Sequence, residues 1–146
     1  MIDTNIKGTW NVIDAVVPYM VDRKYGKIVT LASGAGFIGF GRYALYCASK
    51  AAIMMMTRTL AIDLAPHGIN INCLAPGPTT TAMTEGLRTK QEFRGELDQT
   101  LTRLRSRRGF SSPEDMAGIV VFLVSDAASA MHGSCVLADE GYTAGM

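Results

Sequence analysis

Apolar residues recur at three- and four-residue steps through Ile6, Trp10, Ile13, Val17 and Met20, which predicts a helix over residues 2–24 with one apolar face. The period then breaks. Lys27-Ile-Val-Thr-Leu-Ala32 is a short apolar run that predicts a buried strand entering the small-residue loop Ser33-Gly-Ala-Gly36. A second long helical pattern covers residues 44–65 and stops at Pro66-His67-Gly68, where proline cannot continue a helix and glycine accepts the left-handed turn. His67 reads as part of that cap rather than as a catalyst. Ile69-Asn-Ile-Asn-Cys-Leu-Ala75 is the next strand, ended by Pro76-Gly77-Pro78. After a polar, basic stretch to Arg108, Ser112-Pro-Glu-Asp has the chemistry of a helix start and opens an apolar helix to Val124. Residues 134–138 form the last expected strand.

Helices and strands therefore alternate, an order that specifies parallel strands joined by right-handed crossovers. The expected fold class is α/β, with about three strands of a Rossmann-like parallel sheet at 27–32, 69–75 and 134–138. The helices near 2–24 and 44–65 should share one face. The 146 residues are about the length of one domain, and no repeat or linker divides residues 1–146.

Composition narrows the function. A net charge of +1 gives no field that would gather nucleic acid or an anionic membrane. The apolar run Ile119–Val124 falls far short of the roughly 18 residues needed to cross a bilayer, and the start MIDTNIKGTW does not resemble a secretion signal. A cytoplasmic protein is expected. Cys47, Cys73 and Cys135 are odd in number and far apart, which argues against a disulfide framework or zinc site and for reduced, mostly buried thiols. No metal is expected.

Candidate chemistry lies in YALYCASK, residues 43–50. Tyr46 and Lys50 stand four apart on a helix and so share a face, with the phenol near the positive helix N-terminus. A free tyrosine has a pKa of about 10; an adjacent ammonium and a helix N-terminus both stabilise its anion, so such a phenol could exchange a proton with an alcohol. Ser33 lies 13 residues earlier, at the C-terminal end of a strand, where open parallel sheets bind ligands. Its hydroxyl could meet the same substrate oxygen. Asn5 is mediocre for helix stability and could hold a water or backbone group near the lysine. Each of these residues taken alone reads as structural.

Together, Asn5 in DTNIKG, Ser33 in TLASGAG, Tyr46 and Lys50 in YCASKAA, NCLAPGPTTTAM, and the ending VLADEGYTAG resemble the short-chain dehydrogenase/reductase family from Met1 to Met146. That resemblance implies an NAD- or NADP-dependent oxidoreductase interconverting a secondary alcohol and a ketone, with a small-molecule substrate. It implies Tyr46 as general acid/base, Ser33 as the group binding the substrate oxygen, Lys50 as the residue lowering the tyrosine pKa and holding the nicotinamide ribose, and Asn5 as the holder of a relay water. Tyr46 would contact the cofactor as well, Pro76, Gly77 and Thr79 would line the nicotinamide, and Thr81 could bond its carboxamide or a phosphate. Tyr43, seven before Lys50, instead matches the Tyr-x6-Lys spacing of the enoyl reductase branch, which reduces a carbon–carbon double bond. Tyr46 is favoured because it alone stands 13 after the serine; Tyr43 then reads as a pocket wall.

The chain also departs from the family. It contains no Thr-Gly-x-x-x-Gly-x-Gly turn, no Asn-Asn-Ala-Gly segment and no residue that would choose NAD or NADP, and it begins about where the helix before the fifth strand would. Near its end Glu140 stands where the family commonly has glycine, a substitution that bears on local backbone geometry. The alternative is a catalytically silent remnant or an interaction subunit that pairs with a related chain, since the first strand's edge would be open. In the family the first two long helices pack between subunits, which implies a homo-oligomer, a dimer or tetramer. Met54-Met-Met56 reads as interface or core. Arg103, Arg105, Arg107 and Arg108 could grip a phosphate but read more simply as solvated. Residues Thr79 to Phe110 correspond to the family's variable substrate lid.

Overall fold

The computed structural model describes residues 1–91, 94, 95, 98, 102 and 109–144. Its sheet has three strands, β1 (Gly26–Leu31), β2 (Ile69–Pro76) and β3 (Cys135–Ala138), in the order β1-β2-β3. Both pairings are parallel, with Gly26 opposite Ile69 and Cys73 opposite Cys135. Among the described residues it is accompanied by the α-helices α1 (Gly8–Arg23), α2 (Ala44–Leu64), α3 (Ala82–Thr89) and α4 (Pro113–Leu123). The strand positions and their parallel sense agree with the periodicity in the sequence.

The first helix does not begin as the apolar pattern suggests. Residues Ile2–Lys7 form a π-helical turn that runs into α1. Such a turn carries more residues than an α-turn, so side chains on its two sides fall out of the common 3.6-residue phase. Ile13 is buried, and Val17, Met20 and Val21 pack against the core, whereas Trp10 is 45% exposed. The expected stripe is therefore broken at its N-terminal end.

Ile13 of α1 clusters with Leu60, Ala61 and Leu64 of α2 and Ile69 and Ile71 of β2, so α1 and α2 share one face of the sheet. Further along that face Ala32, Ile53, Met54, Cys73 and Ala75 form a second cluster. Met54 and Met56 are core residues, and only Met55 of the methionine triplet is exposed. Thr30 and Thr57 bury a hydroxyl pair at 2.6 Å on this face.

Alternation along β1 sends Lys27 to the opposite face, where its ammonium lies 3.4 Å from Asp126, just beyond α4. Asn72 and Leu74 also point that way and are fully buried, and α4 packs against β1 and β2. The chain thus steps in one direction across the sheet with α2 on one face and α4 on the other. Two such connections have opposite hands, so the expectation of right-handed crossovers cannot hold for both. The long segment between β2 and α4 relaxes the steric reason for the rule, which assumes a helix returning directly to the sheet.

His132 supplies the ladder where β3 has not yet begun. Its Nδ1 accepts from the Ile71 N–H at 3.3 Å, and its Nε2 donates to the Ala61 carbonyl at 2.6 Å, tying α2 to β2. His132→Ala strands both groups. Unfolding by urea should show a loss of about 1–3 kcal/mol, the usual cost of an orphaned buried polar group, with an unchanged slope.

Candidate active site

The site is built where the parallel strands end. The Ala32 N–H still bonds to the Leu74 carbonyl at 2.8 Å, and Ser33, in extended conformation, then caps the 3-10 turn Gly34–Gly36. Its Oγ accepts from the Ala35 N–H at 3.2 Å. A Cβ at Gly36 would lie 2.5 Å from the Met54 sulfur and 3.1 Å from the Lys50 carbonyl carbon. Glycine at 36 is therefore what lets the serine turn press onto the stretch of α2 that carries Lys50.

Tyr43 stands at the N-cap of α2 and is 53% exposed. Tyr46 is half-buried one turn in. The Lys50 ammonium sits 5.8 Å from the Tyr46 ring centroid and donates to the Leu31 carbonyl at the end of β1 at 3.0 Å. Burial holds the Lys50 ammonium below its ordinary value of 10.5, opposed by the charge that Cys73 would carry as a thiolate. Asn5 joins from the π-turn: its Nδ2 donates to Ser49 Oγ at 3.0 Å, and Ser49 Oγ donates to the Tyr46 carbonyl at 2.8 Å. Nothing in the sequence singled out Ser49. Its signal was a polar residue on the buried stripe of Ile53, Thr57, Leu60 and Leu64, where burial requires partners.

Pro76 and Gly77 continue from β2. A Cβ at Gly34 would lie 3.6 Å from the Pro76 carbonyl, so the ends of β1 and β2 converge. The Gly77 N–H bonds to the Ala138 carbonyl at 2.8 Å, and a Cβ there would meet the Asp139 Cα at 2.5 Å. Backbone cannot yield as a side-chain tip can. Gly77→Ala should lower the thermal midpoint by an amount equivalent to about 1–3 kcal/mol, the usual cost of overpacking, whereas Gly41→Ala, with open space around it, lacks this clash. Differential scanning calorimetry of the two variants makes the comparison.

Beyond Gly77, Thr79 Oγ1 donates to the Gly77 carbonyl at 3.0 Å, and Thr81, the N-cap of α3, donates through its N–H to Thr84 Oγ1 at 3.1 Å. Ser111 rejoins this strand end by bonding to Pro78 and Thr80, and its hydroxyl reaches Glu140 at 3.3 Å. Glu140 adopts φ +52°, the left-handed conformation that glycine takes without cost. Asp139 anchors the turn by accepting from Gly141 N, Thr143 N and Thr143 Oγ1. A cavity of about 440 Å³ lies between α4 and this turn, lined by Met116, Ile119 and Glu140 among others, away from Tyr46.

Contacts thus tie Asn5 to the first turns of α2, which carry Tyr46 and Lys50, and press the turn capped by Ser33 onto α2 through Gly36, with Pro76 beside Gly34; Gly77, Thr79 and Thr81 lead outward. Arg103, Arg105, Arg107 and Arg108, candidates for a phosphate, lie outside the described residues, as does much of the expected lid. Among the described residues no helix is long and apolar enough to cross a membrane.

A family model described as Enoyl-(Acyl carrier protein) reductase matches residues 1–143. An NAD-dependent glycerol dehydrogenase of Listeria innocua is 38% identical over 141 residues, 97% of this chain and 54% of that protein. A 3-oxoacyl-(acyl-carrier-protein) reductase of Thermotoga maritima is likewise 38% identical, over 97% of this chain and 55% of its own length. Among solved structures, a gluconate 5-dehydrogenase from Burkholderia cenocepacia in complex with NADP and tartrate superposes with a TM-score of 0.87 at 29% identity, covering 99% of this chain and 55% of that one. A 4-hydroxyisoleucine dehydrogenase complexed with NADH gives 0.88 at 25% identity, covering 99% and 58%. The chain spans about half the length of the curated relatives it matches.

Proposed function

The chain belongs to the short-chain dehydrogenase/reductase family, and we propose that it carries the catalytic portion of an NAD- or NADP-dependent oxidoreductase interconverting a secondary alcohol and a ketone. One observation carries this reading: the Lys50 ammonium lies 5.8 Å from the Tyr46 ring centroid while bonded to the Leu31 carbonyl, at the strand ends where open parallel sheets take ligands. The Lys50 ammonium, which keeps protons beyond the one given to Leu31, the Thr81 hydroxyl and the Thr79 hydroxyl oxygen as an acceptor fit the ribose and carboxamide of a nicotinamide cofactor. Lys50, Pro76, Gly77, Thr79 and Thr81 would hold it. When bound, that group accepts or supplies the hydride.

The remaining work falls to this chain's side chains. The Ser33 oxygen accepts from the Ala35 N–H, which leaves its proton to steady a substrate oxygen. Tyr46 takes the proton of the alcohol, or returns it to the carbonyl, as general acid/base. The Lys50 ammonium stands beside that ring, 5.8 Å from its centroid. Asn5 would hold a water through which the proton reaches solvent. The test monitors nicotinamide absorbance for this chain, and for any longer product of its gene, with NAD or NADP and a panel of secondary alcohols and ketones. Turnover with neither cofactor would end the reading.

A second reading, an interaction subunit without activity, draws on Leu31, 57% exposed on β1, the strand at one end of the sheet order. Cofactor affinity of the chain alone separates the two. Reduction of a carbon–carbon double bond through Tyr43 has less support, because Tyr43 is exposed at the helix cap while Lys50 lies beside Tyr46. The exposed apolar side chains of α1 and α2, Val12, Tyr19, Leu45 and Ile62 among them, fit pairing with a second copy. Sedimentation at micromolar concentration should give a dimer or larger; a stable monomer would refute that pairing.

A further inference from the structure

We propose that Ser49 is a positioning residue that fixes which end of the Asn5 amide faces the reacting groups, a proposal that rests on reading Asn5, Tyr46 and Lys50 as the catalytic turn. Ser49 is fully buried, with Tyr46 three residues before it and Lys50 directly after. A serine hydroxyl has one proton to give. Here it goes to the Tyr46 carbonyl at 2.8 Å, so the oxygen can only accept from Asn5, and it does so from Nδ2 at 3.0 Å. One amide proton is thereby given to Ser49, the nitrogen end is fixed on that side, and Oδ1 is left facing away as the group that could accept from a water. An Asn turned end for end would set its oxygen against the serine oxygen and compete for the proton held by Tyr46.

Backbone geometry makes the link consequential. Asn5 sits in the π-turn Ile2–Lys7, which the Gly8 N–H closes by bonding to the Asp3 carbonyl five residues back, so its side chain springs from an irregular turn rather than a regular helix. Pi-turns of this kind gather at functional sites. Position 49 belongs to the buried stripe Ile53, Thr57, Leu60 and Leu64, where an alanine would pack without any polar requirement. A hydroxyl there has two bonds to make, and both run between groups assigned to proton transfer.

The test uses the isotope-labelled full chain with Ser49→Ala and Ser49→Thr. In the unaltered chain the Asn5 side-chain amide should exchange slowly with solvent. Ser49→Ala should accelerate that exchange about tenfold and lower kcat about tenfold with KM for the alcohol within about twofold, since a misplaced relay group costs rate rather than binding. Ser49→Thr keeps the hydroxyl and should restore both. Unchanged Asn5 exchange in Ser49→Ala overturns the proposal, as does lost protection with kcat undiminished. Absence of turnover in the unaltered chain would instead sink the dehydrogenase reading and the catalytic role with it, while the exchange measurement still decides whether Ser49 holds Asn5.

Discussion

Tyr46→Phe is expected to lower turnover by about 10²–10⁴-fold while leaving dinucleotide affinity within about twofold, because it deletes the one oxygen assigned to proton exchange. The ring remains. Tyr46 lies half-buried in the first turns of α2, and its backbone carbonyl, not its phenol, receives Ser49, so the substitution leaves the Asn5–Ser49 link intact. Thermal unfolding should be almost unchanged. A large drop in stability would mean that the phenol holds the fold, and the kinetic loss would then carry no weight.

Lys50→Met should differ in its effect on the cofactor. Turnover and cofactor affinity should both fall, by about tenfold or more each, since one ammonium is asked to bias the phenol and to hold the ribose. Stability should not fall with them. Burial lowers the Lys50 pKa, which means the folded chain binds this proton less readily than the unfolded chain. Below the lowered value both states are protonated and the charge costs the fold its full penalty; that penalty fades as pH rises through the ordinary lysine range. Methionine removes the penalty and also the bond to the Leu31 carbonyl, a bond worth about 1 kcal/mol. Net stability at neutral pH should therefore stay within about 1 kcal/mol. Any advantage over the unaltered chain should shrink as pH approaches 10, which denaturation at a series of pH values measures.

The sequence announced its strands because Ile28, Ile69 and Ile71 sit in short apolar runs bounded by glycine and proline, and no helical period competes there. The Tyr46–Lys50 pair was legible for a local reason, since a four-residue step on a helix fixes a shared face whatever the tertiary fold does. Trp10 was misplaced because a period of 3.6 assumes uniform winding, and the π-turn before Gly8 is not uniform. The common hand of the crossovers was an average over direct connections, and α4 arrives after a long detour. Ser49 was hidden for the opposite reason. Beside a lysine it looks like another surface polar residue, and only the structure reveals Asn5, 44 residues away, across from it. Gly36 likewise looked like loop material, yet it is the close approach of Met54 and the Lys50 backbone that requires it.

Glu140 is the departure from the family pattern with a visible backbone consequence. Its left-handed conformation is one that a side-chain-bearing residue adopts at a cost of about 1–2 kcal/mol, and its carboxylate recovers part of this by receiving the Ser111 hydroxyl.

The most direct measurement of the central claim sets Tyr43→Phe beside Tyr46→Phe in one assay, monitoring the nicotinamide absorbance as a secondary alcohol is oxidised. Tyr43, exposed at the helix cap, should lose no more than about threefold, against at least about a hundredfold for Tyr46. A severe loss at Tyr43 with Tyr46→Phe near full rate would contradict the account and hand Lys50 to the other phenol.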